Sequence, residues 1–311
     1  MPVAQPAPGV PARRTHPEVA AALAAGRPVV ALETAIIAHG LPRPVNLEVG
    51  LELEAAVRAA GAVPATIGVL AGVPRVGLAA RDLEHLATAA RVAKLSDRDL
   101  APAALAGVDG ATTVAGTLAL AAAAGIRVLA TGGIGGVHRG ARESWDVSAD
   151  CGALRRYPVL VVAAGVKSML DAAATLEQLE TLGVPVVGYR TRRLPGFLRR
   201  DGGLDLDWSV STPAEAAALL RAHLALRPDP GGLVLANPVA RARQLAQGLH
   251  DRASADARGR AASAGVAGKA ATPLLLAELA RATGGASVTV NRHLVLANAR
   301  LAAAVAVAGC A

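Results

Sequence analysis

The sequence predicts an α/β fold: a layered α/β/α arrangement around a central mixed, largely parallel sheet. Three observations carry this. Short apolar runs alternate with longer Ala- and Leu-rich segments along the chain. Apolar residues make up 53% of the 311 positions, so a large core is available. Only five residues are aromatic, so that core must be closely packed Ala, Val and Leu. Ala-rich faces favour helices and let them sit near a sheet.

Taken in order, Pro28 to Leu32 reads as the first strand. Val45 to Gly61 reads as a helix, with Leu47, Val49, Leu51, Leu53 and Val57 among its apolar positions. Pro64 to Leu70 is strand-like. Ala79 to Ala90 is helical, and Asp82 near its start suits the positive end of the helix dipole. A helix over Thr112 to Ala124 leads into a strand over Ile126 to Ala130. A strand over Val159 to Ala164 is followed by a helix over Met169 to Leu182. Pro185 stands just ahead of the strand Val186 to Tyr189, where a missing N–H does least harm. Pro213 to Leu226 is helical, Leu233 to Ala236 strand-like and Thr272 to Thr283 helical. Residues 1–15 read as a disordered, Pro-rich tail without the apolar run of a signal peptide. Residues 16–311 read as a single catalytic α/β domain with no internal repeat. Its loosest part is His250 to Gly265, read as a helix with a mobile end.

Composition removes several function classes. The longest apolar candidate for a membrane span, Thr117 to Thr131, is broken by Gly125 and Arg127, so no membrane is expected. Cys151 and Cys310 form neither a disulfide framework nor a metal spacing, which fits a reducing cytoplasm. The net charge of +8 raises the question of nucleic acid. The arginines are scattered, with no basic stripe and no interleaved aromatics, so no nucleic acid is expected. A phosphorylated small substrate and a bias in composition account for the charge equally well.

That bias has its own consequence. Of thirty-two basic residues only three are lysine: Lys94, Lys167 and Lys269. Arginine serves wherever charge alone matters, so a surviving lysine is a candidate for work arginine cannot do. The clearest such work is nucleophilic, because an amine can lose its proton and form a Schiff base. Lys167 ends the apolar run Val159 to Val166, where desolvation disfavours the charged amine. It reads equally as a leftover.

Other segments add donors and acids. Thr131-Gly132-Gly133-Ile134-Gly135-Gly136-Val137-His138-Arg139-Gly140 follows directly on a strand. Its glycines let backbone N–H groups approach an anion, and His138 and Arg139 could add side-chain donors. The spacing matches neither a Walker loop nor a dinucleotide fingerprint, and a tight strand-to-loop turn is the alternative reading. Glu143 to Asp150 then holds three acids and two serines. Asp146 and Asp150 would share a face in a helix, or spread around a pocket in a loop. One carboxylate with waters can hold a hard divalent ion beside a phosphate, and a solvated acidic turn is the alternative. Glu33 lies at the end of an apolar run, where burial should raise its pKa and suit it to general acid work, or where an arginine could pair it. Lys94 reads as an anion partner, and Ser96 with Asp97 could cap the next element.

Together these segments resemble the pseudouridine-5′-phosphate glycosidase family, also called indigoidine synthase A-like. The matching blocks are Val29–Gly40, Gly61–Gly77, Lys94–Leu100, Gly110–Thr117, Ala130–Ala141, Asp146–Asp150, Ala163–Asp171, Gly183–Tyr189, Gly231–Pro238, Gly268–Leu275 and Asn291–Asn298. The order of Thr131–Gly140, Asp146–Asp150 and Ala164-Gly165-Val166-Lys167-Ser168 is specific to it. The resemblance implies reversible cleavage of the C–C glycosidic bond of pseudouridine 5′-phosphate to uracil and ribose 5-phosphate. It implies a lysine nucleophile at Lys167, a proton donor at Glu33 and an active-site asparagine at Asn291. It implies substrate contacts at Lys94, Val114, Thr131, His138, Ser148, Ala149 and Asp150. It also implies one divalent metal per subunit, typically manganese, on Asp146, and a homotrimer. Three positions depart from the pattern: Ala35 replaces a hydroxyl residue, Ala240-Arg241 replaces an acid, and Ala297-Asn298 replaces an Asn-Asn pair. A related C-nucleoside or sugar-phosphate lyase with another base preference, and a non-catalytic sugar-phosphate or nucleic-acid binding protein, are the alternatives.

Overall fold

A computed structural model describes residues 12–263 and 271–310. The first strand β1 (Arg14–Thr15) and helix α1 (Pro17–Ala24) lead into β2 (Val29–Leu32), buried at every position. A π-helical turn over Ile36–Gly40 follows, then α2 (Val45–Ala59), β3 (Val63–Leu70) and β4 (Val73–Val76). Next come α3 (Ala80–Thr88), β5 (Ala93–Leu95), α4 (Leu100–Ala106), β6 (Gly110–Thr112), α5 (Val114–Ala124) and β7 (Val128–Ala130). The middle of the chain holds β8 (Val137–His138), α6 (Ala141–Ser144), α7 (Ala149–Arg156), β9 (Leu160–Ala163), β10 (Leu170–Asp171) and α8 (Ala172–Thr181). The last part holds β11 (Val186–Tyr189), β12 (Ser209–Val210), α9 (Pro213–Leu226), β13 (Leu233–Ala236), α10 (Gln247–Ser263), α11 (Ala271–Ala282) and α12 (Ala286–Cys310).

The main sheet runs β1-β4-β3-β2-β7-β9-β13-β11-β12, with β6 joining β3 and β5 joining β6. The central pairings from β3 through β12 are all parallel. Among the described residues the antiparallel pairings of this sheet are those of β4 and β6 with β3, and β1 and β5 run with them, so the sheet is mixed and largely parallel as expected. Period-two alternation divides the core between the two faces. Val29, Ala31, Leu129, Val161 and Ala163 pack with residues of α1, α5, α7 and α8. Val30, Leu32, Val128, Ala130, Leu160 and Val162 pack with residues of α2, α9 and α12. A parallel sheet covered on both faces needs such continuous apolar strands.

Several expectations need correction. Thr112, placed in a helix from sequence, ends β6 instead: its N–H donates to Thr34 Oγ1 at 2.9 Å and its hydroxyl to the Ile67 carbonyl at 2.8 Å. The helix starts one residue after the Thr113 N-cap, whose Oγ1 accepts from Gly116 N. The tail expected over residues 1–15 is ordered at its end, because Arg14–Thr15 pairs with Arg75–Val76. Residues 1–11 of that tail lie outside the described residues, as do Lys269 and the end of the loose segment. The longest apolar helix is α12, not Thr117 to Thr131. By length and composition α12 could cross a membrane, yet here it packs on α2, α9 and the strands β2, β7 and β9. It is the central helix of one layer.

Candidate active site

The carboxyl ends of parallel strands form the natural ligand edge of such a sheet. Glu33 follows β2 directly, Thr131 follows β7, and Lys167 lies four residues past β9. All three line one cavity of about 320 Å³, with Lys94, His138, Asp146, Ser148, Ala149, Asp150 and Asn291. Ten of the eleven side chains singled out from sequence therefore meet in one place. The exception is Val114, whose side chain is 1% exposed and belongs to the core. Its neighbour Thr113 lines the cavity instead, because Val114 opens a helix whose apolar face turns towards the sheet.

The Gly-rich segment is a folded loop held on all sides. Ile134 N donates to Gly165 O at 3.0 Å, and Lys167 N donates to Ile134 O at 3.1 Å. The loop and the lysine segment thus fix each other. Ser148 N donates to Gly136 O at 2.9 Å. A Cβ on Gly135 would stand 2.2 Å from Ser148 Oγ, so only glycine lets the two segments meet. Gly165 has a φ of +83° and a Cβ there would lie 2.1 Å from the Pro195 carbonyl oxygen. Backbone cannot swing aside as a side chain can. Gly165→Ala is expected to cost at least about 1–3 kcal/mol in a denaturant titration. A titration midpoint equal to wild type would show that the Pro195 segment yields.

Glu33 is 6% exposed and accepts a hydrogen bond from the Thr131 hydroxyl. Burial raises its pKa above the ordinary glutamate value, while Lys167 and the Thr131 hydroxyl pull it down and Asp150 adds to the rise. The net direction is upward, which keeps a proton available. Burial holds the His138 imidazole below its usual value. Asp146 opposes this, with its Oδ2 3.7 Å from Nδ1, and Lys94 and Lys167 reinforce it. The imidazole is then neutral at pH 7 and free to accept or donate at its second nitrogen.

Asp150 is more committed than its sequence role suggested. Its Oδ1 accepts from Ala115 N at 3.0 Å and its Oδ2 from Gly135 N at 2.7 Å. It ties the start of α5 to the Gly-rich loop and is 4% exposed. Ser148 caps α7 by accepting from Asp150 N at 3.2 Å. Asp146 lies in the short link between α6 and α7 while Asp150 is within α7, so the two aspartates do not share a helical face. Asp99 accepts from Ser96 N and Oγ, both at 2.8 Å, which fixes the turn after Lys94. Asn291 Oδ1 is buried and lacks a hydrogen-bond partner within the described protein, an arrangement that awaits a ligand donor.

Sequence reasoning passed over several lining residues. His39, on the π-helical turn six residues after Glu33, lines the cavity, and its Nε2 is buried without a partner among the described residues. Its signal was the His-Gly pair closing the first apolar block. Phe197 lines the floor, with a φ of +61° that no local sequence rule announces.

The family model described as indigoidine synthase A like protein matches residues 18–308. A pseudouridine-5′-phosphate glycosidase of Salinispora tropica is 60% identical over 94% of this chain and 91% of its own. One from Herpetosiphon aurantiacus is 55% identical over 94% and 96%. The crystal structure of the prealnumycin C-glycosynthase AlnA with ribulose 5-phosphate superposes with a TM-score of 0.88, at 38% identity and 98% coverage of both chains. That of an indigoidine synthase A-like protein of Thermotoga maritima gives 0.86 at 31% identity, again over 98% of both. With the family model spanning nearly the whole chain, and the fold and cavity residues in the order the motifs require, this chain belongs to the indigoidine synthase A-like family.

Proposed function

We propose that this chain is a pseudouridine-5′-phosphate glycosidase that cleaves the C–C bond through an imine on Lys167. The observation that carries the reading is the meeting of Lys167 in one cavity with a buried Glu33, whose pKa burial raises. Relatives of that name at 50–60% identity over most of the chain support it. So does the C-glycosynthase that binds a pentulose phosphate on the same fold at 38% identity.

A C-glycoside has no leaving oxygen or nitrogen, so the paired carboxylates of ordinary glycosidases do not suffice. Glu33 gives its proton to the ribose ring oxygen as the C1′–O bond opens, and Lys167 Nζ bonds to C1′. Nζ then returns a proton to the Glu33 carboxylate, and the lone pair this frees forms C=N as the C1′–C5 bond breaks. The released electron pair stays on the base, which takes up a proton and leaves as uracil. Water hydrolyses the imine, restoring the amine and giving ribose 5-phosphate. Lys94 and His138 hold the phosphate end in register, since positioning alone can supply several kcal/mol. The cysteine usage suits a cytoplasmic nucleotide pool, and the family resemblance implies a homotrimer. Incubating the protein with pseudouridine 5′-phosphate and manganese should release uracil. No uracil at any metal concentration would refute the activity.

The donor set fits a hard divalent ion bound through Asp146. Among the described residues no cluster of three His, Cys, Asp or Glu side chains could hold a metal. Asp146 would therefore supply one carboxylate and water the remaining ligands, a mode suited to manganese or magnesium beside a phosphate. Such an ion supplies charge neutralisation when bound. Asp146→Ala is expected to lower activity and to abolish its response to added manganese. Calorimetry showing wild-type manganese affinity in that variant would remove Asp146 as the ligand.

A further inference from the structure

Asn298 has no role in the chemistry above, yet it is fully buried in the middle of α12. Its Nδ2 donates to Thr131 O at 2.7 Å and to Gly132 O at 3.3 Å. Both acceptors are carbonyls, so the amide orientation is dictated: nitrogen must face the loop and oxygen must face away. The oxygen accepts from Asn237 Nδ2 at 2.9 Å. Asn237 follows β13 and its own N–H donates to Ala163 O at 2.8 Å, at the end of β9. One hydrogen-bonded chain thus runs from β9 through Asn237 and Asn298 to the first residue of the Gly-rich loop.

That residue is Thr131, whose hydroxyl donates to Glu33. Thr131 N donates to Val162 O at 3.0 Å, and its carbonyl is the other fixed point. The backbone that carries the hydroxyl is therefore gripped on both sides. Asn291 lies seven residues before Asn298, two helical turns away on the same face of α12. The same face of α12 thus carries both Asn298 and the cavity-lining Asn291. A buried apolar residue at 298 would leave the Thr131 carbonyl and the Asn237 amide unsatisfied, while the Gly132 carbonyl would keep its bond from Ala164 N at 2.9 Å.

We infer that Asn298 is a positioning residue of the reaction: through the Thr131 carbonyl it registers the Thr131 hydroxyl on Glu33, and Asn237 orients it from behind. The inference rests on the activity proposed above. A hydrogen bond donated to a carboxylate favours its charged form, so loosening the Thr131 contact lets the Glu33 pKa rise further. A proton donor works only while protonated. The alkaline limb of the kcat profile should then move to higher pH while kcat falls.

The test uses Asn298→Asp, which keeps the acceptor for Asn237 and loses the donor to the loop, and Asn237→Ser, which weakens only the rear contact. Asn298→Asp is expected to lower kcat by more than about tenfold, with KM changed less than threefold, and to shift the alkaline limb upward. Asn237→Ser should give smaller changes of the same kind, and it keeps the question open to test should the first variant fail to fold. A rise in KM at unchanged kcat, or a lowered kcat with an unmoved pH limb, would overturn the positioning role. Wild-type turnover is measured alongside. Its absence would strike down the activity and this inference with it, while its presence beside unaffected variants would strike down the inference alone.

Discussion

Lys167→Arg is expected to fold as wild type does and to lose turnover by at least about 10³-fold, since removing a nucleophile that acts within a concerted set costs up to about 10⁶-fold. Arginine preserves the positive charge that draws on Glu33, so any loss belongs to chemistry and not to the field in the cavity. A guanidinium does not give up its proton in a protein and cannot form an imine. The backbone of residue 167 is held by its N–H to Ile134 O, a contact that substitution leaves alone. Borohydride added with ribose 5-phosphate should fix a sugar adduct on the wild type and none on the variant, read by intact mass. Turnover by the Arg variant at the wild-type rate would end the Schiff-base mechanism.

The central fold was legible because its strands are apolar throughout. β11, α9 and β13 coincide with the sequence reading residue for residue. What escaped notice were elements whose pattern is set by tertiary contacts. Gly110–Thr112 is too short for any periodicity, and its strand identity comes from the hydroxyl bonds of Thr112 to Thr34 and Ile67. α12 carries Asn291, Arg292, Asn298 and Arg300 among its apolar residues, which blurs an amphipathic pattern. Those polar residues have contacts that sequence cannot show. Arg292 reaches Glu48 and Glu52 of α2, and Asn298 reaches the Gly-rich loop.

The site was legible where chemistry restricts residue type. A lysine surviving among arginines, a glutamate ending an apolar run and a Gly-rich segment after a strand each stand out in a single sequence. Their convergence does not, because it depends on β2, β7 and β9 lying side by side. Asp150 shows the limit: its position in the motif implied substrate contact, while its oxygens accept from two backbone amides. Asn298 shows the converse, a residue that lies in a matching block without an assigned role and grips the loop on which Thr131 sits.

Glu33→Gln is expected to reduce turnover by about 10²–10⁴-fold, the usual worth of a general acid, while ribose 5-phosphate binding changes little. Gln keeps the volume, and its amide oxygen still accepts the Thr131 hydroxyl, so the loop should stay in place. It has no proton to give to the ring oxygen. The stability effect has a definite sign. The Glu33 pKa is raised in the folded protein, chiefly by burial, so the folded state holds this proton more tightly than the unfolded chain does. The stabilisation linked to that proton is complete below the ordinary glutamate pKa. It is lost as pH rises through the folded value. Gln carries no such loss, so the variant should melt at or above the wild-type temperature near and above neutral pH, and its advantage should shrink in acid. Steady-state kinetics, titration with ribose 5-phosphate and melting at several pH values separate these effects. Unchanged turnover with weakened ribose 5-phosphate binding would make Glu33 a positioning group. A variant less stable than wild type at alkaline pH would show instead that the carboxylate is held by its partners, Lys167 and Thr131, more strongly than burial disfavours it.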